Sequence, residues 1–223
     1  MQYKHDSNYL LPSLHIPSSY NSHSLRYRLK RFLDIFASFM AILILSPIFL
    51  LIGLVIKTTS SGPVIYKQIR VGQGGQTFWL YKFRSMVQNA DSLKASLADT
   101  NEASGPVFKM RNDPRVTRIG KFLRKFSLDE LPQLWNILRG DMSIVGPRPP
   151  LPTEVPQYQP WQLRRLSVPQ GLTCIWQVSG RSTVGFDDWV RLDLRYIDSW
   201  SLLLDLKIIA QTFFVVLRGV GAY

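Results

Sequence analysis

From Ile35 to Ile56 the chain is almost uninterruptedly apolar, a run of about 22 residues and so about 33 Å as a helix, the thickness of a bilayer's hydrocarbon core. A helix apolar on all sides has no face to turn to water, so reading this run as the core helix of a soluble protein is the weakest option. Ser46-Pro47 lies near its centre, where the missing backbone donor predicts a kink or a break. Both flanks are basic: Arg26, Arg28, Lys30 and Arg31 precede the run, and Lys57, Lys67, Arg70, Lys82 and Arg84 follow it. The positive-inside rule wants both flanks on the cytoplasmic side. A re-entrant helix-break-helix, entering and leaving by one leaflet and turning at Ser46 and Pro47, meets both conditions. An ordinary Pro-kinked transmembrane helix is the alternative. Ahead of the run, residues 1–24 mix Ser, Asn, Tyr, Pro and His without periodicity and read as a flexible tail. The run comes too late for a signal peptide, and no small-residue cleavage site follows it closely.

At 223 residues the chain is about one domain long, and with 46% hydrophobic residues it can bury a core. This divides it into a tail over 1–24, a membrane helix over 25–57 and a further domain over 58–223. Lys and Arg number 27 against 15 Asp and Glu, a formal charge of +12 that points to anionic partners. Cys174 is the lone thiol, so neither an intrachain disulfide nor a Cys-based zinc site can form. His5, His15 and His23 all fall in the tail, and none follows Ser24. That argues against a Ser-His-Asp triad, a Cys-His dyad and a His-ligated metal. Acid, base or nucleophile chemistry falls to a short list of carboxylates.

Beyond Lys57, Gly62-Pro63 begins a turn. Val64–Tyr66 and Phe78–Tyr81 read as strands of a hairpin with a mobile Gly-rich tip at Val71–Gly75. Residues 87–104 are polar and Ala-rich, a solvated helix or loop. Lys121–Phe126 has the pattern of a short basic amphipathic helix suited to an anionic surface. Leu202–Leu217 is strongly apolar but broken by Asp205, Lys207, Gln211 and Thr212, which predicts an interfacial or core-docked helix. Asp187, Asp188, Arg191, Asp193 and Arg195 alternate in sign at helical spacing and read mostly as a solvated, ion-paired face.

The richest local chemistry lies in Ser127-Leu128-Asp129-Glu130-Leu131-Pro132-Gln133. Ser127 and Glu130 have capping-box spacing, so a helix start is the plain explanation of the acidic pair. Pro132, best placed at a first helical position, would move that start to Leu131. In either register Asp129 and Glu130 lie near the positive end of a helix dipole, where an ionised carboxylate and an incoming phosphate are both favoured. In Gly146-Pro147-Arg148-Pro149-Pro150 the prolines restrict the backbone, so Arg148 is either a preset bidentate phosphate contact or the solvated arginine of a rigid turn.

Lys30-Arg31, Ser46-Pro47, Lys82-Phe83-Arg84-Ser85-Met86, the Ser127–Gln133 segment and Gly140-Asp141-Met142-Ser143-Ile144-Val145-Gly146-Pro147-Arg148-Pro149 occur in one order. With them the chain, from about Arg26 to its C-terminus, resembles the bacterial sugar transferases known as monotopic polyprenyl-phosphate phosphoglycosyl transferases. The resemblance implies a mostly helical α/β fold. A re-entrant membrane helix-break-helix, a small β-hairpin and amphipathic interfacial helices would surround a compact catalytic domain. It also implies transfer of a sugar 1-phosphate from a UDP-sugar to a polyprenyl (undecaprenyl) phosphate at the cytoplasmic face of the bacterial inner membrane. UMP would be released and exopolysaccharide, capsule or O-antigen type assembly begun. By matching motif, Asp129 would be the nucleophile that forms a phosphosugar-aspartyl intermediate. Glu130 would be its partner carboxylate, holding the metal or orienting the nucleophile. Lys82, Arg84, Arg124 and Arg148 would contact phosphates, and Asp129, Glu130 and Asp205 would hold Mg2+. A carboxylate ionised at neutral pH needs no histidine to activate it, which agrees with the histidine count. Larger relatives carry four transmembrane helices before this domain, so the chain looks like a minimal catalytic form with an added tail.

Two other classes compete. A basic nucleic-acid binder would use the +12 charge and six Trp, but the charge is spread along the chain and the apolar run has no role there, so no nucleic acid is expected. A membrane-bound scaffold would use Asp129 and Glu130 only as a cap. Trp176-Gln177-Val178-Ser179-Gly180-Arg181 resembles the form in relatives that use glucose- or galactose-type donors. Membrane lipid, and a second copy of the chain in a homo-oligomer, are the further partners expected at the apolar C-terminal helix.

Overall fold

The computed structural model describes residues 24–180 and 184–219. Apart from Ser24 the tail reading lies outside them, as does Arg181. The described part is mostly helical, with two small two-stranded sheets.

Helix α1, Leu25–Thr59, is one helix of 35 residues and is long and apolar enough to cross a membrane. Ser24 Oγ caps it by accepting from Tyr27 N at 3.3 Å. Helical backbone continues through Ser46 and Pro47, so no unwound segment interrupts the run there. Pro47 cannot donate to the Leu43 carbonyl four residues back, and the Ser46 hydroxyl donates to that same carbonyl at 2.8 Å. The group orphaned by proline is thereby satisfied, and α1 need not break there.

One stripe of α1 packs on the rest of the protein along its whole length. Lys30, Asp34, Ser38, Ile52 and Ile56 are buried, with Ala41, Ile42, Leu45 and Phe49 half-buried between them, at i, i+3 and i+4 spacing. The N-terminal third is tied by polar contacts. Lys30 Nζ donates to Asp205 Oδ2 at 2.7 Å, Asp34 accepts from Ser143 Oγ at 2.8 Å, and Arg31 Nη2 donates to the Leu138 carbonyl at 3.0 Å. The middle packs on Leu80, Leu134, Ile137 and Met142, and the C-terminal third on Phe83 and Leu123. The other faces, including Phe36, Leu43, Ile44, Leu50 and Leu54, are exposed.

Strands β1, Ile65–Val71, and β2, Thr77–Phe83, form the predicted hairpin, antiparallel with Ile65 opposite Phe83 and Val71 opposite Thr77. Its tip is held down rather than free: Val71 N donates to the Pro150 carbonyl at 2.9 Å and Gln73 Nε2 to the Ser167 carbonyl at 3.1 Å. Helix α2, Arg118–Lys125, covers the expected basic helix and buries Leu123 while exposing Phe122. It approaches the chain after β2 so closely at Gly120 that a Cβ there would overlap the Ser85 carbonyl.

Helix α3, Gln133–Arg139, follows the Asp-Glu turn and ends at Gly140 in the left-handed conformation. Strands β3, Ser143–Val145, and β4, Gly171–Thr173, pair in parallel. Helix α4, Phe186–Asp198, buries Phe186, Trp189, Val190, Asp193 and Tyr196 along one stripe. Helix α5, Leu202–Arg218, is docked by Asp205, Ile208 and Thr212 and exposes Leu203, Leu206, Phe213, Phe214 and Leu217.

Candidate active site

The acidic pair sits in a single 3-10 turn, Leu128–Glu130, between α2 and α3. Ser127, just before it, is the one non-glycine residue with positive φ among the described residues, at 53°. A non-glycine residue held there costs on the order of 1–3 kcal/mol, a strain that collects at functional sites. The capping box read from Ser127 and Glu130 does not form. Ser127 makes no side-chain cap, and the Glu130 carboxylate turns away to accept from Lys82 Nζ at 2.6 Å and from Gln133 Nε2. The left-handed turn at Ser127 gives the backbone the wrong entry angle for a capping box, in which the first residue is extended.

Lys82 is brought to Glu130 by a buried clamp. Asn136, on α3, accepts from Tyr81 N at 3.1 Å and donates to the Trp79 carbonyl at 2.6 Å, which locks β2 to the helix that follows the acidic pair. Asp129 lines the same cleft of about 400 Å³ with its side chain buried. Among the described residues its carboxylate has no side-chain hydrogen bond or ion pair. Burial, then the neighbouring Glu130 charge, push Asp129 up to about 6. Burial also works against an ionised Glu130, but Lys82 and Arg148 outweigh it and hold that carboxyl below its usual range. The pair is thus divided into a neutralised carboxylate and a chemically free one.

The Arg148 loop is more constrained than its prolines require. Arg165 Nη2 donates to the Arg148 carbonyl at 3.0 Å, Arg70 Nη1 to that of Pro149 at 3.0 Å, and Val71 N to that of Pro150 at 2.9 Å. Three successive carbonyls are held while the Arg148 side chain stays in the cleft, half-buried. Arg165 is itself fully buried and paired with Asp193 at 2.7 Å. Asp193 therefore departs from the solvated face expected of it: it lies in the apolar stripe of α4, where burial pushes its carboxyl up to about 6 against the pull of Arg165. Asp188 and Arg191 do form the expected surface pair, at 3.1 Å.

Lys82, Arg84, Arg124, Asp129, Glu130 and Arg148 all line this one cleft. Arg84 is buried, with Nη2 donating to the Ser60 carbonyl and hydroxyl at 2.9 and 2.8 Å, so it fastens the end of α1 to β2. Asp205 does not join them. Its carboxylate is taken by Lys30, by the Tyr196 hydroxyl at 2.8 Å and by Trp200 Nε1 at 3.1 Å, where α1, α4 and α5 meet. Nor do Ser46 and Pro47 line the cleft; they lie exposed on α1. Arg70, Lys109, Arg165 and Gln133 were missed by sequence reasoning. Asp193 in an otherwise apolar helical stripe was the available sign of a buried cation partner.

Residues 25–219 match the family described as bacterial sugar transferase, and the chain belongs to that family. Among its relatives are the galactosyl transferase CpsE of Streptococcus agalactiae, 47% identical over 86% of this chain and 43% of its own length, and the undecaprenyl-phosphate galactose phosphotransferase of Salmonella typhimurium, 48% identical over 87% and 42%. The exopolysaccharide production protein ExoY of Sinorhizobium fredii is 42% identical over 87% of this chain and 88% of its own length. The chain thus spans less than half of the first two relatives and most of the third.

Proposed function

We propose that this chain transfers a sugar 1-phosphate from a UDP-sugar to a polyprenyl phosphate, by way of a phosphosugar-aspartyl intermediate on Asp129. The observation that carries this reading is a buried carboxylate without a side-chain partner, beside a second carboxylate already neutralised by Lys82, in a cleft lined with arginines. An Asp129 oxygen attacks the sugar-bearing phosphorus, the bridging P–O bond breaks, and UMP leaves with its electron pair. An oxygen of the polyprenyl phosphate then attacks the same phosphorus and expels Asp129, which gives a polyprenyl diphosphate sugar. Arg124 and Arg148 neutralise the diphosphate, and Lys82 holds Glu130 ionised beside the nucleophile.

The residues present fit magnesium bound in its usual manner, by one or two carboxylates and substrate phosphates rather than by a full protein cage. Among the described residues no group of three or more His, Cys, Asp or Glu converges. Asp129 and Glu130 would hold the ion with the donor phosphates, and Asp205, committed elsewhere, would not. Bound there, magnesium supplies charge neutralisation of the diphosphate.

The acceptor is a membrane lipid, and the reaction is placed at the cytoplasmic face of the bacterial inner membrane. Support comes from α1, whose two ends both pack on the catalytic domain, whereas a helix crossing the bilayer would carry one end about 30 Å away. Two ends packed on one domain are what a re-entrant segment bent near Ser46-Pro47 requires, with its outer faces in lipid. Relatives named for galactose and for N-acetylgalactosamine leave the donor as a UDP-hexose of either kind. The likeness to ExoY, named for exopolysaccharide production, supports a role in assembly of that class of glycan.

The test is UMP release by purified protein with magnesium, polyprenyl phosphate and a panel of UDP-hexoses. Without acceptor, one equivalent of UMP per protein is expected, as a covalent intermediate requires. Unchanged turnover in Asp129→Asn refutes the aspartyl mechanism, and no UMP release by the wild type leaves the scaffold reading.

A further inference from the structure

The cations of the cleft divide by what they already hold. Lys82 is paired with Glu130, Arg70 and Arg84 donate to backbone carbonyls, and Arg115 is bound through two nitrogens to Asp113. Lys94 is exposed at the rim. Arg124 contributes to the field at Asp129. The ammonium of Lys109 makes no hydrogen bond or ion pair among the described residues. Its neighbours are two indole faces, with ring centroids 5.3 Å away for Trp176 and 5.5 Å for Trp189. Aromatic faces attract the charge but accept none of the three N–H bonds of an ammonium.

This lysine is held in place by the backbone around it. Asn101 Oδ1 accepts from Lys109 N at 2.9 Å, Asn101 Nδ2 donates to the Val107 carbonyl at 3.0 Å, and Glu102 N donates to the Lys109 carbonyl at 2.8 Å. Ser104 Oγ accepts from Phe186 N at 2.9 Å, which joins the loop to the start of α4. Gly105, at φ 69°, lets the loop seat on Phe186, whose ring a Cβ would meet at 2.7 Å. A half-buried cation on a clamped loop, facing a cleft and lacking an acceptor, is built to receive one.

We propose that Lys109 and Arg148 together bind a phosphate of the donor diphosphate. The assignment rests on the reaction proposed above and adds to it a phosphate-binding residue. Burial, then the Arg148 charge, lower the Lys109 ammonium, a repulsion that a shared anion relieves. Lys109 and Arg148 line the same cleft as Asp129, which brings both cations to the site proposed for the donor.

The experiment measures binding of UDP and of uridine to the full chain in detergent, with no turnover needed. In Lys109→Met, UDP affinity is expected to fall about tenfold or more while uridine affinity changes less than about twofold, and Lys109→Arg is expected to recover UDP to within about threefold of wild type. Lys109→Gln, which keeps a polar side chain, repeats the loss should the Met variant fold poorly. Equal UDP affinity in wild type and variants overturns the assignment even where wild type releases UMP. Parallel losses of UDP and uridine reduce Lys109 to a structural role and overturn it too. A wild type that binds UDP through Lys109 yet releases no nucleotide leaves the subsite standing and overturns the reaction; one that binds no UDP overturns both.

Discussion

Lys82 Nζ lies 2.6 Å from Glu130 Oε1, a pairing across 48 residues of chain that settles which carboxylate of the acidic pair is neutralised. Asp129 keeps its carboxylate free and is pushed up to about 6, first by burial and then by Glu130, while Lys82 and Arg124 oppose the rise.

The pH dependence follows from these signs. In the proposed mechanism donor cleavage needs ionised Asp129, so kcat/KM for UMP release should rise with pH through about 6 and level off above it. Glu130→Gln removes a charge that raises Asp129 and should move the acid limb to lower pH. Lys82→Met removes a charge that lowers it and should move the limb higher. Profiles that shift together, or none at all between pH 5 and pH 8, contradict Asp129 as the ionising group.

Asp129→Asn should abolish UMP release and stabilise the protein at neutral pH. A carboxyl raised from 3.8 to about 6 by folding contributes stability that is complete below the lower value and lost as pH rises through the upper one. The neutral amide avoids that loss, a gain on the order of 1–3 kcal/mol. Thermal melting at acid and neutral pH checks it: the gain should be present at neutral pH and shrink toward pH 4.

Asp205→Asn separates a metal ligand from a structural anchor. The buried carboxylate receives Lys30, Tyr196 and Trp200, and removing its charge leaves the Lys30 ammonium only the more distant Asp34 at 3.8 Å, a loss of about 3 kcal/mol. Denaturation should show that loss, while the magnesium concentration for half-maximal UMP release moves less than about twofold. A tenfold increase in magnesium requirement would return Asp205 to the metal site.

The placement of α1 is open to thiol labelling, since Cys174 is buried. Leu25→Cys and Thr58→Cys lie at exposed positions at the two ends of the helix. Both should react with an impermeant maleimide in inverted membrane vesicles, and neither in intact cells. Labelling from opposite sides would establish a spanning helix.

Elements whose signals are local were legible in the chain: the apolar run of α1, the hairpin, the basic helix α2 and the docked, half-apolar α5. Ser127 with Glu130 misled because capping-box spacing says nothing of backbone angle, and the left-handed φ of Ser127 sends Glu130 to Lys82 instead. Asp193 misled because an alternating charge pattern does not show that Arg165, 28 residues earlier, arrives inside the core to meet it. Pro47 predicts a kink or a break; the helical run continues through it, and the adjacent serine satisfies the orphaned carbonyl within the same turn.

A membrane-length helix with basic flanks, the lack of histidine after Ser24 and a family defined by ordered motifs are readable from residue type and spacing along the chain alone. Only the tertiary structure decided that Asp129 is the free carboxylate, that Asp205 is an anchor and that Lys109 faces the cleft without an acceptor. Those facts depend on which side chains from distant segments reach one another, and local periodicity carries no record of that.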